Sequence, residues 1–196
     1  MKRKTLDMIL TSAGAVLTVV LIAAGALLLW GSNFTSDQVH NQLARQEVTF
    51  PTAKTINTPK SENYPSRAVQ LPYAGQRVLS GAQAKAYAYK VQMDVYGMPF
   101  HGVYSKISAY AMAHPGTTKM AALVTTSFRA VTLEGLLLEA YAFSVFGTLA
   151  FDGALAAFGA AFLMLVLTGL GVRHVSRTSV AEEFPKARST EIAKAA

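Results

Sequence analysis

Two long apolar runs near the ends of the sequence constrain the fold more than any other feature. Residues 8–30 carry no charged side chain, and residues 133–172 carry only Glu134, Glu139 and Asp152. A helix rises about 1.5 Å per residue, so about 20 apolar residues cross a hydrocarbon layer of about 30 Å. The chain is therefore predicted to be a mainly α-helical membrane protein.

The first run is predicted to be a retained transmembrane helix at residues 8–30, after a short N-terminus at residues 1–7. Trp30 stands where an aromatic side chain would meet the membrane surface. A cleaved signal peptide is the alternative, because small residues at 24–26 resemble a cleavage site. However, the apolar run exceeds the roughly 7–15 residues usual in a signal peptide. We therefore expect an anchor.

The second run is too long for one crossing and too acidic at its start for two. Two crossings would bring Glu134 and Glu139 into the bilayer, at up to about 3 kcal/mol for each one near the centre. A single transmembrane helix is predicted at residues 149–172. Residues 133–147 are then expected to form a helix outside the membrane or along its surface.

Basic side chains beside the two predicted spans set the expected topology. Residues 2–4 are all basic, and Arg173 and Arg177 follow the second span. Positive residues close to span ends stay in the cytoplasm. The sequence therefore predicts a multi-pass plasma-membrane protein with both termini cytoplasmic, including the basic tail at 173–196, and with residues 31–148 extracytoplasmic.

Residues 31–148 are predicted to form a mostly helical domain with an irregular, proline-containing loop at 51–80. A polar helix is expected before the loop, with Val39 and Leu43 on one side, and Pro51 is expected to end it. Ser80 and Gln83 fit a capping box, which predicts a helix start. The apolar positions at helical spacing after this cap are Ala84, Tyr87, Ala88, Val91 and Val95.

Two more helices are predicted after Gly97 and Pro99 end that helix. One covers residues 103–114, with Ile107, Tyr110 and Ala111 facing inward. The other begins at Thr117 or Thr118, and no proline separates it from the second span. It is therefore expected to continue into the span as one long helix.

The amino-acid composition excludes several classes of functional site. The 196-residue chain has no cysteine, which excludes disulfides, thiolate nucleophiles and cysteine zinc sites. Its net charge of +7 is scattered or placed beside the spans, without a dense basic run with interleaved aromatic residues. No nucleic-acid partner is predicted, and no cofactor. His101, His114 and Asp94 are the only extracytoplasmic groups considered for a metal, and their spacing matches no zinc pattern.

The remaining candidate residues are acids and tyrosines. Glu134, Glu139 and Asp152 stand in apolar surroundings, where acids are functional candidates. For the two glutamates the alternative is pairing with Arg129 or with lipid headgroups. Side chains that would suit a ligand or partner surface are Tyr87, Tyr96, Tyr104 and Tyr110, although helix packing explains tyrosines in this pattern equally well.

The order of short segments along the chain resembles a family of two-span actinobacterial membrane proteins without an assigned activity. Related proteins are sometimes labelled as aromatic ring-opening dioxygenase subunits, but that iron chemistry needs two histidines and a carboxylate on a rigid scaffold. The segments that carry the resemblance are Val39-His40-Asn41-Gln42-Leu43, Val48-Thr49-Phe50-Pro51, Tyr73-Ala74-Gly75-Gln76, Ser80-Gly81-Ala82-Gln83-Ala84, Val103-Tyr104 and the eight residues at 136–143.

These observations favour a non-enzymatic membrane protein that serves as an accessory or scaffold subunit of the cell envelope. Its expected partners are the lipid bilayer and other membrane proteins or further copies of itself. A lipid- or small-ligand-binding protein is the alternative, based on the tyrosines. A weaker alternative is an ion- or proton-coupling subunit built around the three acids.

Overall fold

The computed structural model of the protein describes residues 3–58, 65–115 and 118–177. These residues are mostly helical and include no β-strand, and short 3₁₀ helices lie at Leu71–Tyr73 and Pro99–Gly102. The α-helices of the described residues are α1 (Arg3–Gln46), α2 (Ala53–Ile56), α3 (Arg67–Gln70), α4 (Gly81–Tyr96), α5 (Tyr104–Ala113) and α6 (Thr118–Arg177).

The chain divides into two compact units. The described residues within Leu27–Gly153 form the central unit, and those within Met1–Ala26 and Ala154–Ala196 form the end unit. In the described part of the chain two helices are long and apolar enough to cross a membrane, over Asp7–Gln46 and Thr118–Ser176. The predicted mainly helical fold with two long apolar helices is thereby confirmed, and the sidedness of the spans stays a prediction.

Helix α1 is longer than the first predicted span. It continues without a break from the predicted span into the polar helix expected before the loop, and no proline interrupts it there. Val39 and Leu43 are buried on one side of its last turns, as predicted. The helix ends at Gln46 and not at Pro51, since Glu47 has a left-handed backbone conformation with a φ of 53°.

Backbone pairing with a distant segment accounts for this early end of α1. The amide of Val78 donates to the carbonyl of Val48 at 2.9 Å, and the amide of Phe50 donates to the carbonyl of Gln76 at the same distance. These bonds require residues 48–50 to be extended, so the helix must stop before them. The predicted irregular loop at 51–80 contains short helices in its described residues, including α2 and α3.

The core of the central unit lies where α1, α4, α6 and the segment around Phe50 meet. Phe50 is 2% exposed, and its ring packs edge-on against Tyr87 with 5.2 Å between centroids. Leu137 of α6 is also buried in this cluster. The buried hydrophobic residues of the cluster are Val39, Leu43, Phe50, Val78, Ala84, Ala86, Ala88, Val91 and Leu137.

The predicted start of α4 is confirmed. The amide of Gln83 donates to Ser80 Oγ at 3.3 Å, and the amide of Ser80 donates to Gln83 Oε1 at 3.1 Å, which completes the capping box. In α5 the prediction is right for Ile107, which is 1% exposed, and wrong for Tyr110, which is 41% exposed. Tyr110 packs instead against the rings of Phe100 and His114.

Helix α6 joins the third predicted helix to the second span without a break, as expected. It runs from Thr118 to Arg177, a stretch of 60 residues without proline. Its length is therefore roughly 90 Å at 1.5 Å per residue, about three times the thickness of a hydrocarbon layer. The helix is therefore much longer than one crossing of a hydrocarbon layer requires.

In the end unit, glycines allow α1 and α6 to approach closely. A Cβ atom at Gly14 would lie 2.7 Å from Thr168 Oγ1, and one at Gly171 would lie 2.9 Å from Thr11 Oγ1. Small residues of this kind are typical of helix contacts in membranes. Gly169, by contrast, has no atom within 4 Å of its added Cβ and points away from α1.

Candidate functional site

The three candidate acids all lie on α6, but they do not form one site. Glu134 is half-buried, whereas Glu139 and Asp152 are exposed. Glu134 and Glu139 point about 140° apart around the helix, and Asp152 is roughly 27 Å along it from Glu134. Burial raises the pKa of the Glu134 carboxyl, which lies outside the predicted span.

None of these acids forms an ion pair among the described residues. The ion pairs found there join Arg77 to Glu47 and Lys90 to Asp94. Arg129, the expected partner of the two glutamates, therefore forms no ion pair with them in this part of the chain. An acid relay would need groups within hydrogen-bonding reach of one another, and the spacing along α6 does not provide it.

Glu139 stands out because an exposed apolar stripe surrounds it. Residues spaced alternately three and four apart form this stripe, as expected for a helix surface that packs against another helix. All of them are exposed. We refer to the following residues, together with Glu139 and Phe146, as the α6 face: Phe128, Val131, Gly135, Leu138, Ala142, Val145 and Leu149.

The side of α6 opposite this face packs in the core of the central unit. Leu137 is 1% exposed there, and Leu133 and Ala140 pack against the same cluster. On the α6 face itself Phe146 is 66% exposed. The fold of the central unit therefore uses one side of α6 and leaves an apolar side open.

The four tyrosines predicted as a ligand surface each make a different ring contact. Tyr87 packs in the core against Phe50. Tyr104 contacts the ring of Phe128, with 5.5 Å between centroids. The other two stack on histidines: Tyr96 on His101 at 4.6 Å and Tyr110 on His114 at 4.2 Å.

His101 and His114, the two histidines considered as metal ligands, both take part in these ring stacks. His101 belongs to a short 3₁₀ helix, where it and Phe100 both have positive φ angles, of 55° and 56°. The described residues contain no group of three or more His, Cys, Asp or Glu side chains that would hold a metal ion. The geometry around His101 and His114 favours aromatic packing.

A different set of residues forms a shallow groove in the central unit. It has a volume of about 460 Å³ and lies between the segment at 69–73 and the first half of α4. Tyr73 and Tyr89 contribute aromatic walls, and Lys85 is the charged residue in the lining. The groove is widely open to solvent, so it would cover only one side of a bound molecule.

Lys85 is held at this groove by a contact with α6. Its Nζ donates a hydrogen bond to Tyr141 Oη at 3.3 Å and lies 4.6 Å from the centroid of the Tyr141 ring. Sequence reasoning missed this pair because the two residues are 56 positions apart. The available signal was a tyrosine close to a predicted span, where aromatic and basic side chains gather at the membrane surface.

Comparisons of the chain with protein-family models, with curated proteins and with solved structures gave no match. The function therefore has to be argued from the α6 face, the groove at Lys85 and the two long apolar helices.

Proposed function

We propose that the protein is a non-enzymatic accessory or scaffold subunit of the cell envelope that binds a helix of another membrane protein through the α6 face. In this proposal α1 and α6 each cross the plasma membrane once, both termini are cytoplasmic, and the central unit is extracytoplasmic. The observation that carries it is an exposed apolar stripe with Glu139 at its middle.

A partner helix is expected to contact this stripe whether the stripe lies in water or in lipid. In water, a continuous exposed apolar stripe is typical of a protein-binding surface. In lipid, the apolar residues would be satisfied, but the exposed Glu139 would cost up to about 3 kcal/mol near the bilayer centre unless a partner paired with it. A helix of another protein would bury the stripe in water, and in lipid it would pair with Glu139.

The composition of the α6 face indicates what that helix carries. Gly135 and Ala142 leave room for close approach of a second backbone, while Leu138 and Val145 provide apolar contact. Opposite Glu139 the partner is expected to place a lysine or arginine, because a carboxylate enclosed by apolar contacts is stable only when it is paired.

A second copy of the chain fits this face less well. Two copies in one membrane have the same orientation, so a symmetric pair would place both Glu139 carboxylates at the same height. Like charges at contact distance repel each other. The α6 face therefore favours a different protein with a complementary basic residue.

The test uses the full-length tagged protein, purified in mild detergent from the cells that make it. A photoreactive side chain at Ala142 is expected to cross-link to one stoichiometric protein, identified by mass spectrometry. Glu139→Gln should reduce recovery of that protein at least about tenfold, since an unpaired basic residue would be left in the interface.

Asp152→Asn is the matched control, because it also neutralises one exposed carboxylate of α6; it should recover the partner as the wild type does. A second control places the photoreactive group at Gln92 on α4, where no cross-link is expected. Equal recovery with the two neutralised variants, or a wild type that elutes without a protein partner, would overturn the proposal.

A further inference from the structure

The groove beside Lys85 combines one positive charge with an apolar lining. Its walls include Val69, Pro72 and Tyr73 on one side and Ala82 and Tyr89 on the other. Apart from Lys85, these side chains bring no formal charge to the groove. A ligand that suits them has one anionic group next to an apolar portion.

Lys85 is positioned to bind an anion. An ammonium group has three N–H donors, and the hydrogen bond to Tyr141 uses one of them. Among the described residues no carboxylate lies within ion-pair distance of Lys85. Contact with the Tyr141 ring stabilises the ammonium without neutralising it, so its charge stays available to a ligand.

The start of α4 packs closely on α6, because a Cβ atom at Gly81 would lie only 2.2 Å from Ser144 Cβ. The groove therefore lies beside α6, one of the two described helices that are apolar enough to cross a membrane. An anionic phospholipid has the two features that suit the groove, a single anionic phosphate group and an apolar acyl portion.

We propose that this groove binds the phosphate of an anionic phospholipid through Lys85, with the glycerol and upper acyl portion against Val69, Pro72 and Ala82. Tyr141 holds the ammonium beside the groove. The site rests on the predicted membrane location of the protein. It is separate from the α6 face, so a failure here leaves the proposed docking untouched.

Native mass spectrometry of the full-length protein in mild detergent tests this site. The probes are phosphatidylglycerol and phosphatidylcholine with identical acyl chains, titrated separately. The wild type should retain phosphatidylglycerol preferentially. Lys85→Gln should weaken that binding about fivefold, the effect of roughly one basic residue at a membrane surface, while Lys85→Arg should keep it.

Two further variants separate charge from shape. Lys106→Gln removes an exposed lysine of α5 that does not line the groove, and it should bind phosphatidylglycerol as the wild type does. Ala82→Trp fills the groove without changing the charge, and it should weaken binding as Lys85→Gln does. Phosphatidylglycerol binding that is unchanged in Lys85→Gln, or weakened equally in Lys106→Gln, would overturn the proposal.

Soluble glycerol 3-phosphate distinguishes a lipid from a free phosphate compound. At the same concentration as the lipid it should not displace phosphatidylglycerol, because it lacks the acyl portion that contacts the apolar walls. Displacement by the soluble compound at equal concentration would identify a site for free phosphate esters and would rule out the lipid assignment.

Discussion

Gly81 shows how strictly a single residue sets the contact between α4 and α6. It follows the cap residue Ser80 and lies directly against α6. Its added Cβ would lie 2.2 Å from Ser144 Cβ, 2.5 Å from Ser144 Oγ and 3.3 Å from the Cα of Tyr141. Such distances are shorter than van der Waals contact, so any side chain here must push the two helices apart.

Gly81→Ala is expected to lower the free energy of unfolding by about 1–3 kcal/mol, the usual cost of forcing extra atoms into a packed site. Thermal unfolding followed by circular dichroism in detergent would measure it. Ser144→Gly removes the opposing side chain, so the double variant should recover part of the loss. Gly97→Ala, which has open space at its added Cβ, is the control and should change stability little.

At the scale of elements, the pairing of α1 with α6 in the end unit depends on small side chains. The buried or half-buried residues of α1 recur at alternating spacings of four and three, which is the pattern of helices packed at a small angle. In the part of α1 that belongs to the end unit they are Asp7, Thr11, Gly14, Thr18, Leu21 and Gly25, with Ala24 half-buried beside Gly25. Thr18 donates its hydroxyl hydrogen to the carbonyl of Gly14 at 2.8 Å, which satisfies a buried polar group within α1 itself.

Cysteine cross-linking provides a direct check on this pairing, because the chain has no cysteine of its own. The added Cβ of Gly171 lies 3.8 Å from Thr11 Cβ, within the range of about 3.5–4.5 Å found in disulfides. The purified double variant Thr11→Cys and Gly171→Cys should therefore form an intramolecular disulfide on mild oxidation. Peptide mass spectrometry would detect it.

The matched control pairs Thr11→Cys with Gly169→Cys, since Gly169 has nothing within 4 Å of its added Cβ. It should stay reduced under the same conditions. Equal cross-linking of both double variants would show that the helices have no fixed register.

At the scale of the whole molecule, two long apolar helices and basic end segments predict two crossings. The continuity of α6 excludes a third crossing, because α6 could cross twice only by folding into a hairpin, and a hairpin would require a break in the helix. None occurs between Thr118 and Arg177. Two crossings place both ends of the chain on the same side.

A reporter tag after Ala196 is therefore expected to be accessible only after the cells are permeabilised. A single cysteine at Gln92, exposed on α4, should instead react with a membrane-impermeant maleimide in intact cells. An external tag would mean three crossings and would require a break in α6. An unreactive cysteine in intact cells would place the central unit on the cytoplasmic side.

Features that depend on neighbouring residues could be predicted from the sequence. The cap at Ser80 and Gln83, the end of α4 near Gly97 and the continuation of α6 into the span all follow from local backbone chemistry. The early end of α1 could not be predicted, because it depends on pairing of residues 48–50 with residues 76–78, which lie in a distant part of the sequence.

The candidate sites divide in the same way. By itself, the sequence determined the apolar runs and drew attention to Glu139, because a charge within an apolar run is visible in any linear pattern. Only the tertiary structure decided that Glu139 lies on an exposed face, that the four predicted tyrosines serve separate contacts, and that Lys85 meets Tyr141. The physical reason is that helical periodicity and capping act within a few residues, whereas burial and grooves arise when distant helices pack against each other.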